Sequence, residues 1–349
     1  MPRRVDSAVK AGLLDLLDRA VADGWTHRRA CRVLELGETR AWRWRARRGA
    51  DRLVDLAAGG NPVHGLLAWE RAEIIAIFHE WSDVDRSHRK LAHRGSYSGR
   101  VWVSPSSVRR VLDDHGLTLR RPKRPGRSQR RPFPAWVDYT RNQIWIYDTT
   151  HFAGCPDAAA TAILDLVTRK WLATIVSVEE TSTQIQVVFI DALEAEGLLD
   201  AALERGEQWP DLSGDDERRP ILLAVSDNGP QMTSGSTREF MALCAVAQHF
   251  GRPGTPTDQA WIETLFGHVK LEWPHLDEID DVAVLRAELD RIRIHYNTVR
   301  LHEAIGYVTP DDEHEGRGPA IRKARRDGLR RAREQRIEYH RNNKPPETP

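Results

Sequence analysis

Near Gln143 the chain changes from helical periodicity to alternation, and this change limits the possible folds more than any other feature. QIWIYDTTHF (143–152) alternates and is rich in β-forming residues. ATAILDLV (160–167) and WLATIVSV (171–178) flank Thr168-Arg169-Lys170 and read as strand, turn, strand. The period then turns helical over 181–197, and PILLAVSDNG (220–229) reads as a buried strand ending in a turn. STREFMALCAVAQHF (236–250), DQAWIETLFGHVKLEW (258–273, stopped by Pro274) and DVAVLRAELDRIRIHYN (281–297) read as helices. Three early strands followed by alternating helix and strand imply a mixed sheet covered by helices.

Charge divides the chain in a way that its net value of +1 hides. Residues 1–135 hold 28 Lys/Arg against 15 Asp/Glu, residues 136–316 hold 13 against 32, and residues 317–349 hold 11 against 4. Basic segments suit a polyanionic partner. The acidic middle suits one poorly, unless some of its carboxylates hold metal ions; most of them read as solvated surface. No run approaches the ~18 apolar residues that span a bilayer, and the first 20 residues lack the apolar stretch of a signal peptide. Cys31, Cys155 and Cys244 are few and far apart, so neither a disulfide framework nor a thiolate zinc site is indicated. A cytoplasmic protein is the expectation.

The basic front reads as two helical modules and a tether. Over 1–58, Thr26 caps one short helix, Leu36-Gly37 breaks it and Glu38 opens another. That is helix-turn-helix grammar. The second helix carries Arg40, Arg43, Arg45, Arg47 and Arg48 with Trp42 and Trp44 between them, and reads as a DNA-recognition helix. The competing reading is a basic amphipathic helix whose tryptophans pack in the core. Past Gly59-Gly60-Asn61-Pro62, residues 64–118 contain helices over 68–80, 87–94 and 104–116, a second helix-turn-helix or winged variant. Ser104 suits the N-cap, Pro105 the first turn and Gly116 the C-terminus of the last of these, which exposes Arg109 and Arg110 to DNA. Residues 119–135 are a Pro-rich basic linker, with Lys123 and Arg124 placed to track phosphates. The core with its C-terminal helices then runs over 136–312, and a basic tail over 313–349.

Three acids stand out in the core. Asp148 lies at or near the end of the first strand, Asp227 follows the strand ILLAVS directly, and Glu263 opens a helix. Strand ends and the loops after them are where sites gather in α/β sheets. Carboxylates from two neighbouring strands and one helix can converge on hard cations such as Mg²⁺ or Mn²⁺. Two such ions about 3.5–4 Å apart activate an attacking oxygen and stabilise the leaving one. Taken alone, an Asp after a strand is weak evidence, and Asp227-Asn228-Gly229 also reads as a plain turn.

The joint pattern is more specific. Asp148-Thr-Thr, then Asp227 in VSDNGPQ, then Glu263 in AWIETLFGHVK with 35 residues between these last two acids, resembles the signature of bacterial insertion-sequence DDE transposases with a retroviral-integrase-like core. GRPGTPTDQAWIETLFGHVK (251–270) and YNTVRLHEAIGYVTP (296–310) resemble the family's third-acid and post-catalytic blocks. The resemblance covers 142–312 closely and the front end only in general architecture. It implies a ribonuclease H-like fold, a mixed five-stranded sheet with helices preceded by helix-turn-helix domains. It also implies that Asp148, Asp227 and Glu263 are catalytic and metal ligands, holding two Mg²⁺ that Mn²⁺ replaces. The reactions it implies are hydrolysis at transposon ends and attack of the freed 3′-hydroxyl on target DNA. Partners would be end and target DNA and further copies of the chain, a dimer or higher, in a bacterial, nucleoid-associated setting.

Lys270, seven residues after Glu263, shares its helix face and corresponds to a DNA-contacting basic residue of the family. Met232 stands where relatives often carry Phe, a conservative packing change. The integrase-type His₂Cys₂ zinc spacing is missing, as is any Ser or Tyr recombinase nucleophile block. His151 reads as structural, and Asp258 as a helix cap. Tyr296, Asn297, Arg300 and His302 read mainly as packing, with Arg300 also a DNA contact. The tail reads as a basic helix that binds DNA or a subunit, or else as a solvated extension.

Overall fold

The computed structural model describes residues 5–55, 63–117, 119, 133–208, 219–251 and 260–343. They fall into two compact units, 1–65 with 340–349, and 66–339.

The first unit is built on α1 (Ser7–Ala22), α2 (His27–Val33) and α3 (Glu38–Gly49). Asp6 caps α1 by accepting from the Ala8 amide at 2.8 Å, and Thr26 caps α2 through the Arg29 amide at 3.3 Å. Glu35 takes a positive φ of 51° in the tight turn between α2 and α3. Leu14, Leu17, Ala30, Cys31, Leu36, Ala41 and Trp44 form its core. Trp44 is therefore buried while Trp42 is 66% exposed, so the competing readings of the two tryptophans each hold for one of them.

The second unit opens with α4 (Ala68–Trp81), α5 (His88–Tyr97) and α6 (Pro105–Asp114). Ser104 accepts from the Ser107 amide at 3.1 Å, with Pro105 in the first helical turn, and Gly116 takes a positive φ of 67° beyond the last turn. Residues 98–100 turn the chain, and Val101 and Val103 then dip into the helical core, so among the described residues this module contains three helices and no strand.

The sheet follows as β1 (Ile144–Phe152), β2 (Cys155–Asp165) and β3 (Trp171–Ser177), then α7 (Ser182–Ala195), α8 (Leu199–Gln208) and β4 (Leu222–Ser226). Next come α9 (Pro230–Thr233), α10 (Gly235–Leu243), β5 (Val246–Phe250), α11 (Ala260–Glu272), α12 (Val282–Thr298), α13 (Pro310–His314) and α14 (Gly318–Asn342). Strand order is β3-β2-β1-β4-β5, with the first three antiparallel and β1, β4 and β5 parallel. This is a mixed five-stranded sheet of ribonuclease H-like topology. Its fifth strand corrects the sequence reading of 236–250 as one helix: α10 ends at Leu243, and Ala245 at φ 50° turns the chain into β5. Tertiary pairing with β4 overrides the helical propensity of that stretch.

The two faces of the sheet carry separate cores. Ile144, Ile146, Leu164, Leu223 and Val225 pack under α11 and α12 with Ile262, Leu265, Val269 and Ile292. Trp145, Tyr147, Ile163, Leu222 and Ala224 pack under α7, α8 and α10, where Met232 is also fully buried. β1 is buried on both faces over Ile144–Tyr147, which explains its nearly continuous apolar start.

Residues 318–342 form one 25-residue helix with a buried face, which corrects the reading of the tail as a solvated extension. Arg336 clamps Glu70 of α4 with contacts of 2.8–3.0 Å and donates to the Trp102 carbonyl at 2.7 Å. A Cβ at Gly328 would overlap the Trp102 indole, so the helix approaches that ring only because the residue is glycine. Arg94 of α5, bonded to Asp85 at 2.6 Å, reaches the Val299 carbonyl beyond α12 at 2.7 Å. Among the described residues no helix is long and apolar enough to cross a membrane. Arg336→Ala leaves Glu70 buried without its partner and is expected to cost about 3–5 kcal/mol. The double change Arg336→Met with Glu70→Leu is expected to restore most of that, as read by chemical denaturation.

Candidate active site

Register brings the first two acids together. β1 and β4 run parallel with Ile144 opposite Leu223 and Ile146 opposite Val225. Two residues further on, Asp227 directly follows β4, while Asp148, still within β1, shares the face of Ile146. That is the face that α11 covers, and Glu263 lies in the first turn of α11. Asp148 is not at the end of its strand as the sequence suggested, since β1 continues to Phe152. It sits where β1 outruns β4, which stops at Ser226.

Local bonds fix both aspartates. Asp148 Oδ1 accepts from the Thr149 amide at 2.8 Å. Asp227 Oδ1 accepts from the Gly229 amide at 2.8 Å, so Asp-Asn-Gly is a turn and also presents an acid. Asn228 Nδ2 donates to the Gly251 carbonyl at 2.9 Å, and the Gly251 amide donates to the Ser226 carbonyl at 2.9 Å, which anchors the turn to the end of β5.

Burial, then the charges of Asp227, Glu263 and Glu180, push the Asp148 carboxyl up to about 6, against the opposing Thr149 bond. The three acids named from sequence thus act on one another. Among the described residues they do not close into a metal-holding set of three or more side chains. The donor chemistry still suits a hard divalent cation: carboxylate oxygens, gathered with one of them energetically strained. Glu180 is a fourth acid that sequence reasoning missed. It precedes α7, pairs with the exposed His151 at 3.6 Å and accepts from Gln231 Nε2 at 2.9 Å. Its only signal was its position in the loop after a strand.

Lys270 does not pair with Glu272 or Asp277. Its ammonium donates to the His151 carbonyl at 2.7 Å and lies 5.2 Å from the Phe152 ring centroid, joining α11 to the end of β1. Arg300, expected as a DNA contact, is corrected: it is 3% exposed, bonds Glu272 of α11 at 2.9 Å and lies over the Tyr296 ring. A guanidinium buried against a carboxylate is not available to a phosphate. Its neighbours have packing roles, since Asn297 accepts from the Trp171 amide at 2.9 Å and donates to the Trp171 carbonyl at 2.8 Å, on edge strand β3. The Tyr296 hydroxyl lies 2.9 Å from His302 Nε2, and burial holds that imidazole well below its usual range. Asp165 is fully buried and bonds the Asn142 and Thr168 amides, both at 2.6 Å.

The arginines of α3 separate into two sets. Arg45 pairs with Asp18, and Arg48 with Asp15 and Asp18 of α1. Arg40, Arg43 and Arg47 line one cleft of about 380 Å³ with Lys10, Trp44 and Asp55, and Arg47 is itself paired with Asp55 at 2.9 Å. On α6, Arg109 and Arg110 are exposed, Arg109 beside Asp113 at 3.4 Å. Lys123, Arg124 and Asp258 lie outside the described residues.

Residues 245–310 match the integrase core domain family. The transposase for insertion sequence element IS904 of Lactococcus lactis subsp. lactis (strain IL1403) is 22% identical over 173 residues, 49% of this chain. Over these stretches the chain is similar to the integrase core domain family and to an insertion-sequence transposase. The aligned part is 60% of the length of that relative. The family match takes in Glu263, Lys270 and the paired residues Glu272 and Arg300. Among solved structures, the BIV integrase catalytic core covers 50% of this chain and 94% of its own, at 18% identity and a TM-score of 0.35. A chain of the simian T-cell lymphotropic virus intasome in complex with the PP2A regulatory subunit B56 gamma covers 64% and 74%, at 16% identity and a TM-score of 0.40.

The raised Asp148 carboxyl of this core has a pH signature. Its folded value of about 6 lies above the ordinary 3.8, so the charged form costs stability. That cost grows as pH rises between those values and is complete above the folded one. In chelator, Asp148→Asn is expected to raise the unfolding temperature above that of wild type at pH 7.5, and the difference is expected to shrink steadily toward pH 4.5. A difference independent of pH would separate Asp148 from its acidic neighbours.

Proposed function

We propose that the chain is a transposase that binds insertion-sequence ends and catalyses metal-dependent DNA strand cleavage and strand transfer. The observation that carries this reading is that Asp148 of β1, Asp227 just after β4 and Glu263 of α11 lie within electrostatic reach of one another, the charges of the last two raising the first. The family match over 245–310 supports it.

In this reading Asp148, Asp227 and Glu263 hold the divalent ions, two Mg²⁺ or Mn²⁺. Such ions, when bound, supply an activated oxygen nucleophile and charge neutralisation at the phosphate. Cleavage joins a water oxygen to phosphorus and releases the 3′-oxygen of the element's end as a hydroxyl. Strand transfer then joins that 3′-oxygen to a target phosphorus and breaks the target's own ester bond. No covalent bond to the protein is needed. Lys270 holds α11 against β1 and keeps two further ammonium hydrogens for DNA near the scissile phosphate. Arg300 and Glu272 fix the far end of the same helix.

Recognition falls to the helical front. Residues 1–58 supply a helix-turn-helix with Arg40, Arg43 and Arg47 toward DNA, and 64–118 supply a second module with Arg109 and Arg110. The linker 119–135 tracks phosphates between the modules and the core. Two ends have to be joined, so the active complex contains two or more copies, in the bacterial cytoplasm at the nucleoid.

Asp148→Asn, Asp227→Asn and Glu263→Gln are each expected to abolish cleavage and joining while end binding survives, because ligands serve the transition state and affinity comes from cations. A labelled duplex from the DNA flanking the gene, incubated with Mg²⁺, is resolved for cut and joined strands beside a gel shift. Cleavage retained in any one variant removes that residue from the site.

A further inference from the structure

α14 carries two populations of arginine that face different ways. The inner ones are spent on the fold. Arg325 donates to the Gly306 and Tyr307 carbonyls, both at 2.7 Å, and to Ser96 at 3.1 Å. Arg322 bonds the Ile305 carbonyl at 2.9 Å, and Arg336 clamps Glu70. The outer ones are exposed: Lys323, Arg326, Arg330, Arg331 and Arg333.

At about 100° per residue, Lys323, Arg326, Arg330 and Arg333 fall within an arc of about 80°, away from the buried face of Arg325, Gly328, Ala332 and Arg336. They span about 15 Å along the axis. Among the described residues Arg330 pairs with Asp327 at 3.2 Å, while Lys323, Arg326 and Arg333 form no ion pair. Asp327 and Glu334 border the stripe on one side, and Arg331 lies beyond them.

We propose that this stripe of α14 is a docking surface for the phosphate backbone of duplex DNA. A cationic row of this length matches a polyanion with one charge per about 1.7 Å of axis. Holding Lys323, Arg326 and Arg333 together in water, with no ion pair to any of them among the described residues, gains nothing for the fold. The inner arginines tie the same helix to α4, to α5 and to the segment after α12, so DNA lying on the stripe is registered to the unit that holds the three acids. The inference rests on the reading of the chain as a DNA-acting enzyme, and it adds a binding surface outside the front modules.

The test uses the full chain and a random-sequence 30-bp duplex in chelator, so that binding is read without cleavage. Fluorescence anisotropy across a salt series compares wild type with Lys323→Gln, Arg326→Gln, Arg330→Gln and Arg333→Gln combined. The slope of log affinity against log salt is expected to become shallower by about 3.6, near 0.9 for each of the four phosphates that are no longer neutralised. The variant Arg326→Lys, Arg330→Lys and Arg333→Lys, which keeps the charge, is expected to retain the wild-type slope. An unchanged slope in the glutamine variant, with circular dichroism matching wild type, overturns the proposal. Loss of self-association by sedimentation with unchanged DNA binding also overturns it and assigns the stripe to the acidic core of a second copy. A wild-type chain that binds no duplex at all contradicts the reading of the whole chain instead.

Discussion

Like charges held close at the rim of a buried sheet are what the rest of this structure is arranged around. Asp148 and Asp227 come within electrostatic reach of each other because β1 and β4 pair in parallel, with the apolar Ile146 opposite Val225 just before them. A slip of one residue would send one acid to the opposite face. The core under α11 therefore specifies the site as well as stabilising the fold. The repulsion is visible in the Asp148 carboxyl, which burial and its acidic neighbours lift to about 6. A fold built for stability alone has no use for such a group, whereas a site for hard cations does.

Cations do two kinds of work around this rim. Arg300, Arg325 and Arg336 are buried against carboxylates or carbonyls and join elements distant in sequence. Each is costly to desolvate, and each is compensated by charge-assisted bonds in fixed geometry. Lys270 has an intermediate part, bonded to a strand carbonyl close to the acids. Exposed arginines remain on α3, α6 and α14. The charge asymmetry along the sequence thus resolves into acids at the sheet rim, buried structural cations and exposed cations.

Much of this was legible in the residues. The alternation at 143–152, the turn at 168–170 and the caps at Thr26 and Ser104 read directly into elements, because each rests on short-range chemistry. The three acids were legible from their places relative to strands and a helix, and from a spacing that resembles a known family. Long-range features were hidden. β5 looked helical because its residues become a strand only through pairing with β4. Arg300 and the inner tail arginines looked like DNA contacts, because sequence shows charge without showing the buried partner, Glu272 or Glu70, that takes it up. Glu180 carried no periodic or motif signal and reaches the site only through the loop after β3.

If Asp148, Asp227 and Glu263 hold a divalent cation, calorimetric titration of Mn²⁺ into the metal-free chain at pH 7.5, with the Asp227→Asn chain alongside, reads the binding. Saturable binding in wild type, weakened at least about tenfold by the substitution, a change of about 1.4 kcal/mol, is expected. No binding in wild type, or equal binding in both chains, would contradict a cation site at these acids.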